Sequence, residues 1–489
     1  MTTPDFTCQW YQDIFAAFPK IVADAEKAGK ALKLDKVAGK VGLYTGASSV
    51  PGALPGYVLD AIVEANQTSI LPLKRVEDEL RMLIKEVYGD AYDGAVTNTC
   101  EAALRVTYET LFAPPFMRRG DAYRSRVLTP YGEDYEWGAA YGRPFPPRYK
   151  NIAIDRSVSA GELGMEAKAL ANVDTLYVRY AGVDYEIHGI KQSVVPLMLR
   201  NDIDGTMARI REASDRHAAN LVGFQTIGYD TPGYGNGDHD DDGAPRFLKQ
   251  LGAFAESRDL PFLVDSASCL PIVGYAPGDV NADVIVYSMD KPGRSPIAGL
   301  MVGKAEAMSY IRKALGLGGD RAGGVSSHGK AAQSAADPGR DSLVGLTAFL
   351  KVLRDDPGRI TRPIDQYHAI MVEAFAEMKP SRFRNQIIIE KSYHMGGLEL
   401  NYQQTWDGDD FGIPIFTLED LYANTNPMLL ATEAMGIEPA TIYNCNMLLT
   451  PGLGTLQADG ELNVEFATLA AKALVKSVEI VCQHAGIGD

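Results

Sequence analysis

Cysteine, histidine and long apolar runs are all scarce in this chain of 489 residues. The five cysteines are scattered and lack the CxxC spacing of zinc or redox sites, so we expect no disulfide framework and a reducing, cytoplasmic setting. The seven histidines contain no pair at i and i+4, and we expect no metal centre. No stretch approaches about 18 uninterrupted apolar residues, which argues against a membrane-spanning helix.

Positive charge is scarce as well. Lys and Arg together number 47 against 63 Asp and Glu, which gives a net charge of −16. Nucleic-acid surfaces need clustered cations, so we expect no nucleic-acid partner. The first residues, MTTPDFTCQWYQDIF, show no basic region followed by an apolar one, so we expect no secretory signal. Hydrophobic residues at 46% and charged residues at 22% are ordinary for a globular protein.

Apolar, strand-like runs alternate with helical segments between residues 151 and 304. Near-continuous apolar strands separated by helices indicate a parallel sheet covered on both faces. We therefore predict an α/β fold with a large, mainly parallel-sheet domain and a smaller C-terminal α+β domain. The predicted strands are NIAID (151–155), DTLYVRY (174–180), LVGFQTIGY (221–229), PFLVD (261–265) and DVIVYS (283–288).

Three parts of the chain follow from these patterns. We predict that 1–69 is a helical segment and loop packing on the small domain, that 70–330 is the large domain, and that 331–489 is the small domain. Within the large domain, residues 118–150 hold five Tyr, six Arg and four Pro. This segment is too long and irregular for a plain connection, so we predict a functional loop or lid; the alternative is a surface insertion that packs on itself.

Polar groups follow the ends of predicted strands, where open α/β sheets bind ligands. Thr99 and Cys100 begin a helix, whose free amides and dipole suit a phosphate. Asp265 closes a buried strand and needs a partner such as a cation. Lys291 follows the next strand, where partial burial makes a lysine a candidate Schiff-base nucleophile. Taken singly, each has a simpler explanation: a helix cap, a metal ligand or cap, and a solvated lysine.

Taken together, these groups match the needs of one cofactor. Pyridoxal phosphate takes amides at its phosphate, a carboxylate at its ring nitrogen and an amine at its aldehyde. Asp265 and Lys291 lie 26 residues apart, which is one strand-loop-strand unit. We therefore predict pyridoxal 5′-phosphate as the cofactor, bound by the large domain.

The same motifs resemble the fold-type I pyridoxal-phosphate enzymes, the aspartate aminotransferase superfamily. The resemblance rests on Asp265-x-Ala267, Ser288-x-x-Lys291 and the stretch TNTCEAAL. The run SMDKPGRSPIAGLMVGK (288–304) most resembles the selenocysteine-synthase-like branch, and DSLVGLTAFLKVL (341–353) is similar to the helix that follows there. The resemblance covers about 70–355 and implies a sheet of the seven-stranded type between helices.

The resemblance also implies roles for individual residues. Lys291 would form the imine with the cofactor and, once freed, would move protons at the substrate α-carbon. Asp265 would keep the ring nitrogen protonated, with the small Ala267 under the ring. The remaining cofactor contacts would be three phosphate ligands and a group facing the phenolic oxygen: Thr99, Cys100, Ser288 and Gln225.

An amino-acid substrate needs a cation for its carboxylate, ideally an Arg fork. The fold resemblance implies a homodimer with shared active sites, in which the loop GGVSSH (323–328) reaches the partner's phosphate. The candidate substrate-binding residues lie in the small domain and in the segment 118–150: Arg382, Arg384, Arg143, Arg148 and Tyr131.

The selenocysteine-synthase-like signature favours elimination or replacement at the β- or γ-carbon of an amino acid, through an external aldimine and a carbanion. The Tyr- and Arg-rich segment suggests a second substrate. Transamination is the alternative. A non-catalytic binding member of the same fold is a further alternative, because 151–170 contains no aromatic or histidine ring to stack on the cofactor.

Overall fold

The structure is a computed structural model that describes residues 13–14, 16–46, 50–112, 126–132, 191–197, 203–228, 230–231, 234–235, 238–241, 243–291, 295–317, 333–405, 412–414, 427–443 and 446–489. Of the predicted elements, the strands at 151–155 and 174–180 lie outside these residues.

A seven-stranded sheet forms the centre of the molecule. Its strands are β1 Tyr92–Thr97, β2 Arg126–Gly132, β3 Lys191–Leu197, β4 Leu221–Ile227, β7 Phe262–Ser266, β8 Val284–Ser288 and β9 Gly299–Lys304; the two-residue strands β5 (Asp230–Thr231) and β6 (Tyr234–Gly235) pair separately. The order across the sheet is β1-β9-β8-β7-β4-β2-β3. The strands β3, β2, β4, β7 and β8 pair in parallel, whereas β9 is antiparallel to both β8 and β1. The predicted α/β fold with a mainly parallel sheet is confirmed.

Helices cover both faces of this sheet. They are α2 Gly56–Gln67, α3 Leu73–Tyr88, α4 Cys100–Thr107, α5 Ile203–Arg216, α6 Arg246–Ser257, α7 Ala305–Ala314 and α8 Gly339–Asp355. On β7, Leu263 belongs to an apolar cluster that includes residues of α4 and α7. Its neighbours Phe262 and Val264 belong to a second apolar cluster, to which α3, α5, α6 and α8 contribute. Because both faces are covered, the inner strands β4, β7 and β8 are apolar along most of their length.

The segment 118–150 is not entirely an insertion. Residues Arg126–Gly132 form β2, which lies inside the main sheet between β4 and β3. The prediction of a loop or lid is therefore wrong for these residues. Val127 and Leu128 are fully buried, so the sheet gains apolar area from a stretch whose Arg, Tyr and Pro neighbours obscure its strand character. The rest of the segment, residues 118–125 and 133–150, lies outside the described residues.

A second, antiparallel sheet of four strands lies in the C-terminal part. Its strands are β10 Ile388–Ser392, β11 Gly397–Asn401, β12 Thr441–Tyr443 and β13 Asn446–Leu449, and the helices of this part are α9 Gly358–Ala376, α10 Pro427–Ala434 and α11 Val464–His484. The order across the sheet is β10-β11-β13-β12. The helix α9 packs on β10 and β11, and α11 packs on α9 and α10.

The N-terminal segment attaches to this C-terminal part. The helix α1 (Phe18–Ala31) contacts α10 and α11. Further along, the Leu43 N–H donates to the Glu438 carbonyl at 3.0 Å, and the Thr450 N–H donates to the Leu43 carbonyl at 2.9 Å. These contacts agree with the predicted packing of 1–69, whereas the domain boundaries stay a prediction. Within the described residues, no helix is both long and apolar enough to cross a lipid bilayer.

Candidate active site

The carboxyl ends of β1, β4, β7 and β8 meet at one edge of the main sheet. Thr97 and Ser288, which end β1 and β8, both pair with Gly299 of the intervening β9. A Cβ on Gly299 would lie 2.2 Å from the Thr99 carbonyl oxygen, so this close approach of backbone requires glycine. Asp265 pairs with Ile227 of β4 and Val286 of β8 near the same edge. The topology therefore brings the three predicted features together.

Asp265 lies half-buried near the end of β7. Its Oδ1 accepts a hydrogen bond from the Ala267 N–H at 3.1 Å. Burial raises the pKa of this carboxyl, and the Lys291 charge and the Ala267 N–H offset only part of that rise. Among the described residues, no cation lies within ion-pair distance, 4.0 Å, of Asp265. A carboxylate in this position would be stabilised by a cationic partner.

Lys291 follows β8 and is also half-buried. Its charge lowers the pKa of both Asp265 and Cys100, which places the ammonium near these two groups. Even so, Lys291 forms no ion pair within 4.0 Å with any described carboxylate. The amine therefore acts electrostatically on the acid without forming an ion pair with it.

The start of α4 forms the third side of the site. Thr99 is the N-cap: its Oγ1 accepts a hydrogen bond from the Ala102 N–H at 3.0 Å, and its exposed hydroxyl keeps its proton for another acceptor. Two bonds fix the preceding turn: Thr97 Oγ1 donates to the Thr99 carbonyl at 2.8 Å, and Asn98 Nδ2 donates to the Ala335 carbonyl at 3.0 Å. This end of α4 carries free amides and a positive dipole.

The thiol of Cys100 shows how closely these groups converge. Burial raises the pKa of Cys100, the negative charge of Asp265 raises it further, and the Lys291 charge lowers it. The charges of Asp290 and Glu101 raise it as well. The first residue of α4 therefore lies within electrostatic reach of the acid and the amine that the sequence predicted.

Ser288 and Gln225 lie on strands whose carboxyl ends form this edge, and their predicted contacts with the cofactor stay predictions. The Ser288 hydroxyl donates to Asp290 Oδ1 at 2.7 Å, so its proton is directed to a carboxylate rather than to a phosphate. Gln225 is buried and pairs with Leu263, one side-chain level below the Ile227–Asp265 pair. The sequence reasoning missed Asp290, although an acid between Ser288 and Lys291 at the end of a buried strand was a visible signal.

The predicted substrate arginines of the small domain have local contacts. The Arg382 guanidinium lies 4.7 Å from the ring centroid of Phe383. Arg384 Nε donates to the Met378 carbonyl at 2.6 Å. Neither makes a hydrogen bond or ring contact with the site in the described part of the chain. Tyr131 lies on β2, where its side chain is not described, and the other predictions lie outside the described residues: Arg143, Arg148 and the loop 323–328.

Comparisons with known proteins give likenesses in structure only. No family model and no curated protein matches the sequence. A SepCysS–SepCysE N-terminal domain complex matches with a TM-score of 0.48 at 12% identity, covering 90% of this chain and 95% of that one. A D-glucosaminate-6-phosphate ammonia-lyase matches with a TM-score of 0.43 at 13% identity, covering 89% and 93%. The pyridoxamine-pyruvate aminotransferase of Mesorhizobium loti matches with a TM-score of 0.49 at 13% identity, covering 91% and 92%. Because these identities and TM-scores are low, the site assignments rest on the residues of this chain and not on the comparisons.

Proposed function

We propose that this protein is a pyridoxal-phosphate-dependent enzyme that acts on an amino-acid-type substrate. The observation that carries the proposal is the convergence of Asp265, Lys291 and the start of α4 at the carboxyl ends of neighbouring strands, with no ion pair within 4.0 Å between the acid and the amine. A carboxyl with a raised pKa, an unpaired amine and a helix N-terminus within electrostatic reach of one another suit the three ends of this cofactor.

The residues present fit the cofactor by their chemistry. Lys291 would hold the aldehyde carbon, and Asp265 would hold the ring nitrogen, whose positive charge supplies the partner that this carboxylate lacks. The first amides of α4 and the Thr99 hydroxyl would hold the phosphate. Ala267 would leave room beneath the ring. When bound, pyridoxal phosphate supplies an electron sink for the pair left behind when a bond at the substrate α-carbon breaks.

The side chains of the site would then act on protons and charge. Asp265 keeps a proton on the ring nitrogen, because its carboxylate is favoured by that cation in a poorly solvated position. Lys291, once its amine is free, takes or returns a proton at the substrate α-carbon as a general base and acid. The half-buried positions of both side chains limit the water that competes for these protons.

For the reaction type, we propose elimination or replacement at the β- or γ-carbon, with a second substrate in the replacement case. Support comes from the S-x-D-K signature at 288–291 and the Tyr- and Arg-rich residues near β2. Transamination remains the alternative on the same site. A non-catalytic binding protein is the further alternative, and it would hold the cofactor without moving the α-proton.

We also propose a cytoplasmic homodimer with shared active sites and no nucleic-acid partner. Three described cysteines are buried and form no disulfide, which suits a reducing compartment: Cys100, Cys269 and Cys482. The net charge of −16 disfavours nucleic acid. Sedimentation of the purified protein, with and without cofactor, tests the dimer.

The function is tested by incubating the cofactor-loaded protein with a panel of amino acids in deuterated water. We expect NMR to show loss of the α-proton signal for one class of amino acid. Release of a keto acid without an added amino acceptor indicates elimination, whereas dependence on an added keto acid indicates transamination. A protein that binds the cofactor but exchanges no α-proton from any amino acid is a binding protein, which contradicts the proposed activity.

A further inference from the structure

Asp290 has a buried carboxylate, and among the described residues a hydrogen-bond partner reaches one of its two oxygens but not the other. The side chain is 3% exposed, and Oδ1 accepts the Ser288 hydroxyl at 2.7 Å. Its Oδ2 has no hydrogen-bond partner among the described residues. Leaving a buried charged oxygen without a donor is costly, so this oxygen is suited to form a hydrogen bond with a bound molecule.

The position of Asp290 identifies which part of the ligand it faces. Its charge raises the pKa of Cys100, the first residue of α4. Its partner Ser288 lies in the row Ser288–Gly299–Thr97, which runs across three adjacent strands to the turn before Thr99. Asp290 therefore lies beside the phosphate-binding end of the site. Among the described residues, the charged groups that act on Cys100 alongside Asp290 are Asp265, Lys291 and Glu101, with Lys291 the one cation among them.

A phosphate bound here would meet a charge conflict. A phosphate monoester is close to a dianion at neutral pH. Two negative groups that share a poorly solvated site do not both stay ionised, and one of them takes up a proton. Under the proposed function Lys291 would hold the aldehyde carbon, so its nitrogen would not be free to pair with the phosphate.

We propose that Asp290 holds the cofactor phosphate as a neutral carboxylic acid. On binding, Oδ2 takes one proton from solvent and donates it in a hydrogen bond to a phosphate oxygen, while Oδ1 continues to accept from Ser288. The proposal rests on the proposed function and adds a positioning residue to it. It also explains why the Ser288 proton points to Asp290 rather than to the phosphate.

The test counts protons taken up when the protein binds pyridoxal phosphate. Calorimetry in two buffers of different ionisation enthalpy gives this number for the wild type, D290N and the exposed control D259N. The measurement is made near about pH 8, where the phosphate itself is nearly fully ionised. Pyridoxal, which lacks the phosphate, is the matched ligand. D290S, also neutral at this position, replaces D290N if circular dichroism shows that the latter does not fold.

We expect the wild type and D259N to take up about one proton more with pyridoxal phosphate than with pyridoxal, and D290N to show no such difference. The amide of D290N keeps a donor, so its affinity for pyridoxal phosphate stays within about threefold of the wild type. Equal proton uptake in the wild type and D290N would overturn the role of Asp290. A wild type that binds neither ligand would instead contradict the proposed function.

Discussion

The Lys291 charge acts on Asp265 across the edge of the main sheet, although the two side chains form no ion pair within 4.0 Å. The Lys291 charge lowers the pKa of Asp265, yet burial keeps that pKa above the ordinary value of a carboxyl. A pair designed only for stability would close to hydrogen-bond distance. The open arrangement leaves each charge available to a third group, which is the basis of the function proposed here.

The raised pKa of Asp265 makes this carboxylate costly in the cofactor-free protein. A group whose pKa is higher in the folded state contributes its stability below the unfolded pKa, and this contribution is lost as the pH rises through the folded value. We therefore expect D265N to melt about 1–3 °C higher than the wild type at neutral pH without cofactor. Scanning calorimetry across pH checks this, and the difference should shrink towards about pH 4, near the ordinary carboxyl pKa.

The control for this substitution is D259N, an exposed residue in a left-handed turn, a conformation that asparagine also tolerates. Its melting temperature should match the wild type at every pH. If D265N melted below the wild type at neutral pH, Asp265 would be stabilised by a partner within the protein, and the site would not need a cationic ligand.

Thr99 should contribute separately to the affinity for the cofactor phosphate and to the stability of α4. T99A removes the N-cap bond to Ala102, which costs about 1 kcal/mol of stability. It also removes a hydroxyl donor, so affinity for pyridoxal phosphate should fall about tenfold. Affinity for pyridoxal should stay nearly unchanged. Fluorescence titration with the two ligands measures the ratio.

T99S provides the matched variant, because it keeps both the cap and the donor. It should restore the wild-type preference for the phosphorylated ligand. Equal losses of affinity for both ligands in T99A would mean that Thr99 acts only through the fold.

Much of the fold was readable from the sequence because burial leaves a direct pattern. The runs 221–229, 261–265 and 283–288 are apolar on both faces, and they became β4, β7 and β8 within one or two residues at each end. Asp265 and Lys291 were predictable as a pair because Asp265 closes one such run and Lys291 follows another. Parallel strands bring their carboxyl ends to one edge.

Other elements gave weaker patterns for physical reasons. The strand β3, KQSVVPL, begins with polar residues and contains Pro196, which has no N–H to donate to a neighbouring strand; β3 lies at one edge of the sheet. The Ser288–Asp290 bond depends on how the chain turns after β8, and a two-residue separation does not fix that turn. The substrate arginines were unpredictable because their role depends on loops that meet in space, and spacing along the chain does not show such meetings.

A buried ion network should stabilise β1, the strand that leads into the turn before Thr99. Arg312 of α7 pairs with Glu77 of α3 and also donates to the Gly94 carbonyl of β1 at 3.2 Å. Burial raises the pKa of Glu77 even with this cation beside it. R312M should therefore lower the free energy of unfolding by about 3–5 kcal/mol, because it leaves a buried carboxylate unpaired. Urea unfolding measures the change.

The exposed pair Lys36–Glu465, at 3.3 Å with both side chains 62% exposed, provides the comparison. E465Q should change the unfolding free energy by less than about 0.5 kcal/mol. The double variant R312M/E77Q should recover part of the loss, since it removes both charges. A loss in R312M as small as in E465Q would show that the network does not hold β1.

The most direct test of the account is to find which lysine bonds to the cofactor. The purified protein is loaded with pyridoxal phosphate, reduced with borohydride, digested and mapped by mass spectrometry. K291R tests the assigned lysine, and K304R, at the end of β9, is the matched control. We predict that the wild type and K304R carry the reduced cofactor on Lys291 and that K291R carries none. Modification of another lysine, with Lys291 unmodified in a fully loaded protein, would contradict the assignment of this site.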